Sequence, residues 1–337
     1  MRPEKKKNEK ENTVSETRLI AVVALSAFIL IVSIVSTFSI GSAIQAMPTP
    51  TTFADGYHQS AAEALYAREY HEAIRLLTDA IALDADDGRY YGSRALAYFQ
   101  IERYEMALRD YSRAIDLDSS TPSRYAERAY LYHVMERYDK ALIDYTVALA
   151  LDNTQTRVYR QRGDTCIQLG DYQCALDDYT RTLSMLENVI TDDMPLDDVT
   201  YMKTLKSRAY AYALRGTADN NTTDYTLAIK DYYLLLELHP ESLIYRENLS
   251  VIYNNRGNIR LEKGDTEGAA ADYLEATQLD PDFAIPWWSL AGIYDASGDI
   301  SSAIHYYQQY TSLADDDLSV SAENRIDDLQ RHTGQNR

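Results

Sequence analysis

The stretch Tyr91-Gly-Ser-Arg-Ala-Leu-Ala-Tyr98 returns 34 residues later as Tyr125-Ala-Glu-Arg-Ala-Tyr-Leu-Tyr132. The stretch that follows it, Tyr104-Glu-Met-Ala-Leu-Arg-Asp-Tyr111, returns at the same interval as Tyr138-Asp-Lys-Ala-Leu-Ile-Asp-Tyr145. A third copy of both begins at Tyr159. A fixed period of this length, with small and aromatic residues at constant offsets, predicts a stack of helical hairpins.

Small residues fill two columns of this repeat: Ala95, Ala129 and Gly163 in one, and Ala107, Ala141 and Ala175 in the other. A small residue lets two helices approach closely, and each hairpin leaves an apolar flank that the next hairpin must cover. The pattern resembles the tetratricopeptide repeat (TPR) family. The resemblance implies an all-α fold, a right-handed α-solenoid of about seven helical hairpins.

The 34-residue frame extends in both directions and predicts the organisation of the chain. Four repeats occupy residues 54–189, and three more occupy residues 202–316. Residues 190–201 between them are predicted to form an inserted loop and the start of a helix. A second insertion is expected as an expanded turn over Gly216–Asp224.

The end of the chain is predicted to close the stack. Residues 317–330 place Leu318, Ala322 and Ile326 on one helical face. Because the last hairpin of a solenoid needs its apolar flank covered, this segment is predicted to be a capping helix. Residues 331–337 are predicted to be a tail.

A long apolar run precedes the repeats. Leu19–Ile40 holds 22 residues without a charge, and as a helix it would span roughly 33 Å, enough to cross a bilayer. Six basic residues lie before it, within residues 1–18, and the first one after it is Arg68. This asymmetry predicts a cytoplasmic N-terminal tail and extracytoplasmic repeats. The alternative is a cleaved signal peptide, for which the apolar run is long. Residues 41–53 have the composition of a linker.

The charge of the chain limits the classes of partner. The formal net charge is −19, and it is −21 outside residues 1–18, which hold six basic and four acidic residues. Nucleic acid and anionic membrane surfaces require a basic footprint, so neither is expected as a bulk partner.

Two columns of opposite charge recur in the repeats. Five arginines share one column of the first helix: Arg94, Arg128, Arg162, Arg208 and Arg256. Five aspartates share one column of the second helix: Asp110, Asp144, Asp178, Asp231 and Asp272. The first and seventh repeats lack both members, so the columns are predicted to form Arg–Asp pairs within or between hairpins. We interpret these pairs as structural, and they are expected to fix the register of the stack.

Cys166 and Cys174 are the only cysteines. Cys166 replaces an aromatic column that faces the partner helix, and Cys174 begins that helix. An exported domain would permit a disulfide between them. The alternative is two small buried thiols.

No pattern typical of an enzyme is present. The six histidines lack metal-ligand spacing, and the chain has no glycine-rich phosphate loop and no nucleophile elbow. No cofactor and no metal are expected. An enzyme built on an unrecognised group of residues stays the weakest alternative.

In the TPR family the first helices line a concave groove that holds peptide segments. The columns of this protein that would face such a groove are basic and aromatic: Arg89, Tyr130, His133, Arg157, Arg160, Lys203, Lys206 and Tyr210. A basic groove in an acidic protein suggests an anionic ligand, such as an acidic peptide or the C-terminus of another protein. The alternative is that these columns are simply solvated.

These observations favour a membrane-anchored, extracytoplasmic scaffold that holds a protein segment in its groove and acts in envelope or membrane assembly. The alternative from another class is a non-catalytic anchored subunit that binds an anionic glycan or polymer. A discrete protein partner would distinguish the first function from the second.

Overall fold

The computed structural model describes residues 50–187, 199–314 and 316–335. The elements in these ranges are helices and short turns, and they belong to one unit that begins at Pro50. The predicted transmembrane helix Leu19–Ile40 and the predicted tail at 1–18 lie outside the described residues. None of the described helices has both the length and the apolar character that crossing a membrane requires.

Fifteen helices follow one another in the described ranges: α1 (Pro50–Tyr66), α2 (Tyr70–Leu83), α3 (Gly88–Gln100), α4 (Tyr104–Leu117), α5 (Pro122–Val134), α6 (Tyr138–Leu151), α7 (Thr156–Gln168), α8 (Tyr172–Glu187), α9 (Val199–Ala218), α10 (Thr222–Leu238), α11 (Leu243–Glu262), α12 (Thr266–Leu279), α13 (Ala284–Ser297), α14 (Ile300–Leu313) and α15 (Asp317–Gln335). They pair in order as seven hairpins, α1 with α2 through α13 with α14, and α15 packs against α14. The predicted all-α stack of seven hairpins is confirmed.

The small columns lie at the helix contacts. Ala95 and Ala129 on the first helices, and Ala107 and Ala141 on the second helices, are fully buried. In hairpins two to seven a tyrosine of the second helix packs beside the small residues, as Tyr145 does in the third hairpin, and Leu77 takes this place in the first. The recurring residues of the sequence are therefore the interior of the stack.

Each hairpin turn contains one residue with a positive φ of 50° to 82°: Arg68, Glu102, Glu136, Gly170, Asn220, Gly264 and Gly298. Glycine adopts this conformation at no steric cost, whereas other residues lose roughly 1–2 kcal/mol there. Because the same geometry recurs without glycine, helix packing imposes the turn.

Two predicted boundaries differ from the structure. The predicted linker at 41–53 overlaps α1, since that helix begins at Pro50, and proline fits the first position of a helix. The predicted end of the fourth repeat at 189 and most of the predicted insertion at 190–201 lie outside the described residues. The capping helix α15 continues to Gln335, five residues beyond the predicted end at 330.

The expanded turn predicted over Gly216–Asp224 is wrong. Helix α9 continues to Ala218 and α10 begins at Thr222, so the turn between them is as short as in the other hairpins. The arginine and the aspartate of this hairpin lie 23 residues apart, whereas the other four pairs lie 16 apart. Seven extra residues add about one turn to each of the two helices.

Candidate functional site

The first helices of neighbouring hairpins approach one another: α1 lies near α3, α5 near α7, and α7 near α9. This side of the described stack is therefore its inner side. We call the exposed surface of the first helices of hairpins two to five the groove face. The predicted binding residues all belong to these helices, α3, α5, α7 and α9.

The recurring arginines and aspartates form the predicted pairs, and each pair lies within one hairpin. In every pair the arginine donates two hydrogen bonds, from Nε and Nη2, to the two oxygens of one carboxylate at 2.6 to 3.0 Å. Charged partners in this bidentate geometry make strong, directional bonds. The five arginines are occupied and are not available to a ligand.

A hydroxyl of the preceding hairpin completes each pair. The Nη1 atom of each arginine donates to one of these side chains at 2.9 to 3.4 Å: Thr78, Ser112, Thr146, Thr180 and Thr226. Sequence reasoning missed these residues, although the first four recur every 34 residues. Each arginine thus joins two hairpins and fixes their register.

The sixth hairpin departs from this register. In the other pairs the hydroxyl follows the recurring aspartate position by two residues, but Thr226 precedes Asp231 by five. The difference of seven residues corresponds to about two helical turns. The sixth hairpin therefore contacts α10 about two turns nearer to the N-terminus of that helix than the other hairpins contact theirs, which matches the added length of the fifth hairpin.

A glycine followed by a polar residue receives a tyrosine ring in three hairpins. A Cβ atom added to Gly163 would lie 2.8 Å from the ring of Tyr179. The Tyr179 hydroxyl donates to Asp164, the residue after that glycine, at 2.8 Å. The same arrangement joins Tyr225 to Thr217 beside Gly216, and Tyr273 to Asn258 beside Gly257.

Two of the predicted groove cations are neutralised by carboxylates. Arg89 pairs with Asp55 at 2.8 Å and with Asp87 at 2.5 Å. Arg160 pairs with Asp164 at 3.1 Å. Neighbouring carboxylates therefore compensate the charges of both arginines.

The other three predicted cations are open to solvent. Arg157, Lys203 and Lys206 are exposed, and they form no ion pair with any residue in the described ranges. Arg157 and Lys203 occupy the same column of neighbouring hairpins, five residues before the recurring arginine. These three cations are therefore available to pair with an anionic ligand.

The predicted aromatic residues form two groups. Tyr130 lies between Phe99 and His133, with ring centroids 5.7 and 6.5 Å away. His133 is held by a hydrogen bond of 2.9 Å between its Nδ1 and the hydroxyl of Thr165. Burial lowers the pKa of His133 and favours its neutral form. Tyr210 lies apart from this group and is 56% exposed.

A pocket of about 510 Å³ opens on the groove face of hairpins two to four. Its apolar wall comes from Leu96, Phe99 and Tyr130, and its polar wall includes Glu127 and Arg157. The volume is within the range typical of ligand sites.

Glu127 was not predicted as a site residue. The sequence could have indicated it, because Glu127 is the only acidic residue at the position before the recurring arginines. Hairpins two, four, five and six have Ser93, Gln161, Ser207 and Asn255 there.

Cys166 and Cys174 lie at bonding distance, with their Cα atoms 5.9 Å apart. This separation is ordinary for a disulfide. The bond joins α7 to α8 near the turn of the fourth hairpin. Cys166, Cys174 and Asp178 form the one group of possible metal ligands in the described ranges. Because the sulfurs are bonded to each other and Asp178 holds Arg162, this group offers no open metal site.

Comparisons with known families match three parts of the chain. Residues 59–122 and residues 285–317 each match a model described as tetratricopeptide repeat, and residues 257–298 match one described as TPR repeat. No curated protein sequence matches the chain.

Solved structures resemble the fold. The C-terminal part of a TPR repeat-containing protein from Cytophaga hutchinsonii is 16% identical, with a TM-score of 0.53, covering 79% of this chain and 98% of that one. A tetratricopeptide repeat protein from Parabacteroides merdae is 16% identical, with a TM-score of 0.47, covering 82% and 98%. YrrB, described as a TPR protein with an unusual peptide-binding site, is 20% identical, with a TM-score of 0.44, covering 62% and 95%.

Identities this low concern the fold and not the ligand. The family matches near both ends of the stack agree with the seven hairpins that the structure places between Pro50 and Leu313. The chain therefore contains tetratricopeptide repeats.

Proposed function

We propose that this protein is a non-catalytic scaffold that holds an acidic segment of a partner protein on the groove face of hairpins four and five. One observation carries the proposal: Arg157, Lys203 and Lys206 are exposed and have no ion pair in the described ranges. In a protein with a net charge of −19, three exposed cations without an ion pair on two neighbouring hairpins are a local positive surface. The tetratricopeptide repeats favour a protein segment as the ligand.

The proposal places the scaffold at a membrane. Leu19–Ile40 would anchor the chain, and the basic residues before it would keep the N-terminus in the cytoplasm. The bond between Cys166 and Cys174 supports an extracytoplasmic position for the repeats, because disulfides persist in oxidising compartments. Such a scaffold would act in envelope or membrane assembly.

The experiment is a selection of random dodecapeptides, displayed on phage, against the immobilised full-length protein. Enrichment of Asp and Glu among the selected peptides is the expected result, since acidic side chains complement the exposed cations. A parallel selection uses the variant with Arg157→Glu, Lys203→Glu and Lys206→Glu, which should lose this enrichment. Selection of basic peptides by the unaltered protein, or the same acidic peptides with the variant, would contradict the proposal.

The choice between a peptide and an anionic glycan uses the same material. A synthetic acidic dodecapeptide from the selection is competed with heparin and with a neutral dextran. If heparin displaces the peptide, dextran does not, and the selected peptides share no consensus sequence, a polymer ligand is favoured over a protein segment.

A further inference from the structure

The pocket between hairpins two and four is lined by several residues that can donate hydrogen bonds and by a single carboxyl group. The possible donors are Arg157, Gln161, Tyr111, Ser123 and Thr156. Glu127 is the only acidic residue of the lining. A surface with this balance suits a ligand that accepts hydrogen bonds.

Glu127 makes no ion pair and no hydrogen bond with the described residues, although Arg157 lines the same pocket. The residue is exposed at the pocket wall. Partial desolvation by the protein atoms around its carboxyl group raises the pKa of that group to about 7, against the smaller opposing effects of Arg157 and Arg124. Near neutral pH the group is thus both a proton donor and an acceptor.

The titratable groups around Glu127 come from three helices. Arg157 faces it from α7, and the hydroxyl of Tyr111 faces it from α4. Arg124, on the same helix as Glu127, is occupied by Asp118 at 2.8 Å and by the carbonyl oxygen of Ala114 at 3.0 Å. Arg157 is therefore the one neighbouring cation that stays available to a ligand.

We infer that this pocket receives a carboxylate side chain of the bound acidic segment, which pairs with Arg157 and shares a hydrogen bond with the carboxyl group of Glu127. The inference rests on the proposed function and names one subsite for it. An apolar residue next to that carboxylate would pack on Leu96, Phe99 and Tyr130.

Binding of this kind consumes a proton. The ionised Glu127 carboxylate takes one proton from solvent, and the neutral carboxyl then donates it in a hydrogen bond to the carboxylate of the segment. Two carboxyl groups that share one proton avoid the repulsion of two negative charges. Affinity for an acidic segment therefore falls as the pH rises through the range in which free Glu127 ionises.

The experiment measures fluorescence anisotropy of a rhodamine-labelled dodecapeptide in which Asp alternates with Leu, capped at both ends. The full-length protein is titrated between pH 5.5 and pH 8.5, where the Asp side chains of the peptide stay ionised. The expected result is an affinity that falls roughly tenfold between pH 6 and pH 8, because Glu127 passes from mostly protonated to mostly ionised. A peptide with Asn in place of each Asp should bind weakly at every pH.

The matched variant is Glu127→Gln, whose amide donates a hydrogen bond at any pH. Its affinity at pH 8 should equal that of the unaltered protein at pH 6, and it should change less than about twofold over the range. Glu267→Gln, an exposed change on α12 outside the pocket, should keep the tenfold fall. His133 remains in both variants, so a fall that persists in Glu127→Gln would assign the effect elsewhere and overturn the inference.

Failure of the subsite and failure of the proposed function give different results. If the Asp/Leu peptide binds with equal affinity at pH 6 and pH 8, the groove binds acidic segments but Glu127 takes no part. If a peptide with Lys in place of Asp binds better than the Asp/Leu peptide, both are wrong, since the pocket then selects a cation.

Discussion

At the scale of single residues, the buried Arg–Asp pairs determine register more than stability. The side chain of Asp178 is 3% exposed and that of its partner Arg162 is 21% exposed. Burial raises the pKa of Asp178 even though Arg162 donates two hydrogen bonds to it, so desolvation outweighs the pairing. Replacing such a pair with apolar residues is often neutral, whereas removing one partner leaves a buried charge.

We expect Asp178→Ala to lower the free energy of unfolding by about 3 kcal/mol, because Arg162 is left without its carboxylate. The double variant Arg162→Met with Asp178→Leu should lose less than about 1 kcal/mol. Unfolding in urea, followed by circular dichroism, measures both. Glu72→Ala, which removes an exposed pair with Arg75, is the control and should leave stability nearly unchanged. Equal losses in the single and double variants would contradict this account.

Recurrence made the Arg–Asp pairs predictable, because presence and absence of both members in the same repeats indicates contact. The hydroxyl partners were accessible by the same logic, since Thr78, Ser112 and Thr146 are 34 residues apart. Thr226 could not be predicted in this way. It bonds to its arginine only because the sixth hairpin is shifted, and it lies outside the 34-residue recurrence. Nor could the sequence show that Asp55 neutralises Arg89, because no recurrence of both members marks this pair.

At the scale of the hairpin, the column that holds Ala129 and Gly163 determines how closely the tyrosine of the second helix approaches the first helix. Gly163 precedes Asp164, which accepts the hydroxyl of Tyr179. In the third hairpin Ala129 precedes Tyr130, and the hydroxyl of Tyr145 finds no partner in the described ranges. The glycine lets the ring approach until its hydroxyl reaches the polar residue.

Gly163→Ala should therefore lower the free energy of unfolding by about 1–2 kcal/mol, because the new Cβ atom displaces the ring of Tyr179 and breaks its bond to Asp164. Gly92→Ala is the matched control. No atom lies within 4 Å of the position of its new Cβ, so we expect it to stabilise the protein by up to about 1 kcal/mol. If thermal melts show both variants stabilised alike, the close approach of Tyr179 is not required.

The disulfide constrains one hairpin, since its two cysteines are only eight residues apart in sequence. Replacing Cys166 and Cys174 with serine should lower the free energy of unfolding by about 2 kcal/mol, the effect expected for a short closed loop. Mass spectrometry after alkylation, with and without prior reduction, tests the bond itself. Alkylation of both thiols in protein purified without a reductant would contradict it.

At the scale of the whole molecule, the seven hairpins are similar, so we expect binding specificity to depend on the few residues that differ between repeats. Glu127 is such a residue, as are the exposed cations Arg157 and Lys203, whose column holds serine in the third hairpin and valine in the sixth. The fold was predictable from the period because every hairpin repeats the same contacts. The extension of the fifth hairpin was not, because two added helical turns preserve the apolar pattern that an expanded turn would interrupt.

The measurement that decides this account is the affinity of the rhodamine-labelled Asp/Leu peptide for the full-length protein and two charge-reversal variants. One variant combines Arg157→Glu, Lys203→Glu and Lys206→Glu; the control combines Arg103→Glu, Arg109→Glu and Lys230→Glu, at residues exposed outside the groove face. Both lower the net charge equally. We predict a loss of at least tenfold for the groove variant and less than threefold for the control, because close charges outweigh screened distant ones. Equal losses in the two variants, or none in the first, would show that the groove face is not the binding site.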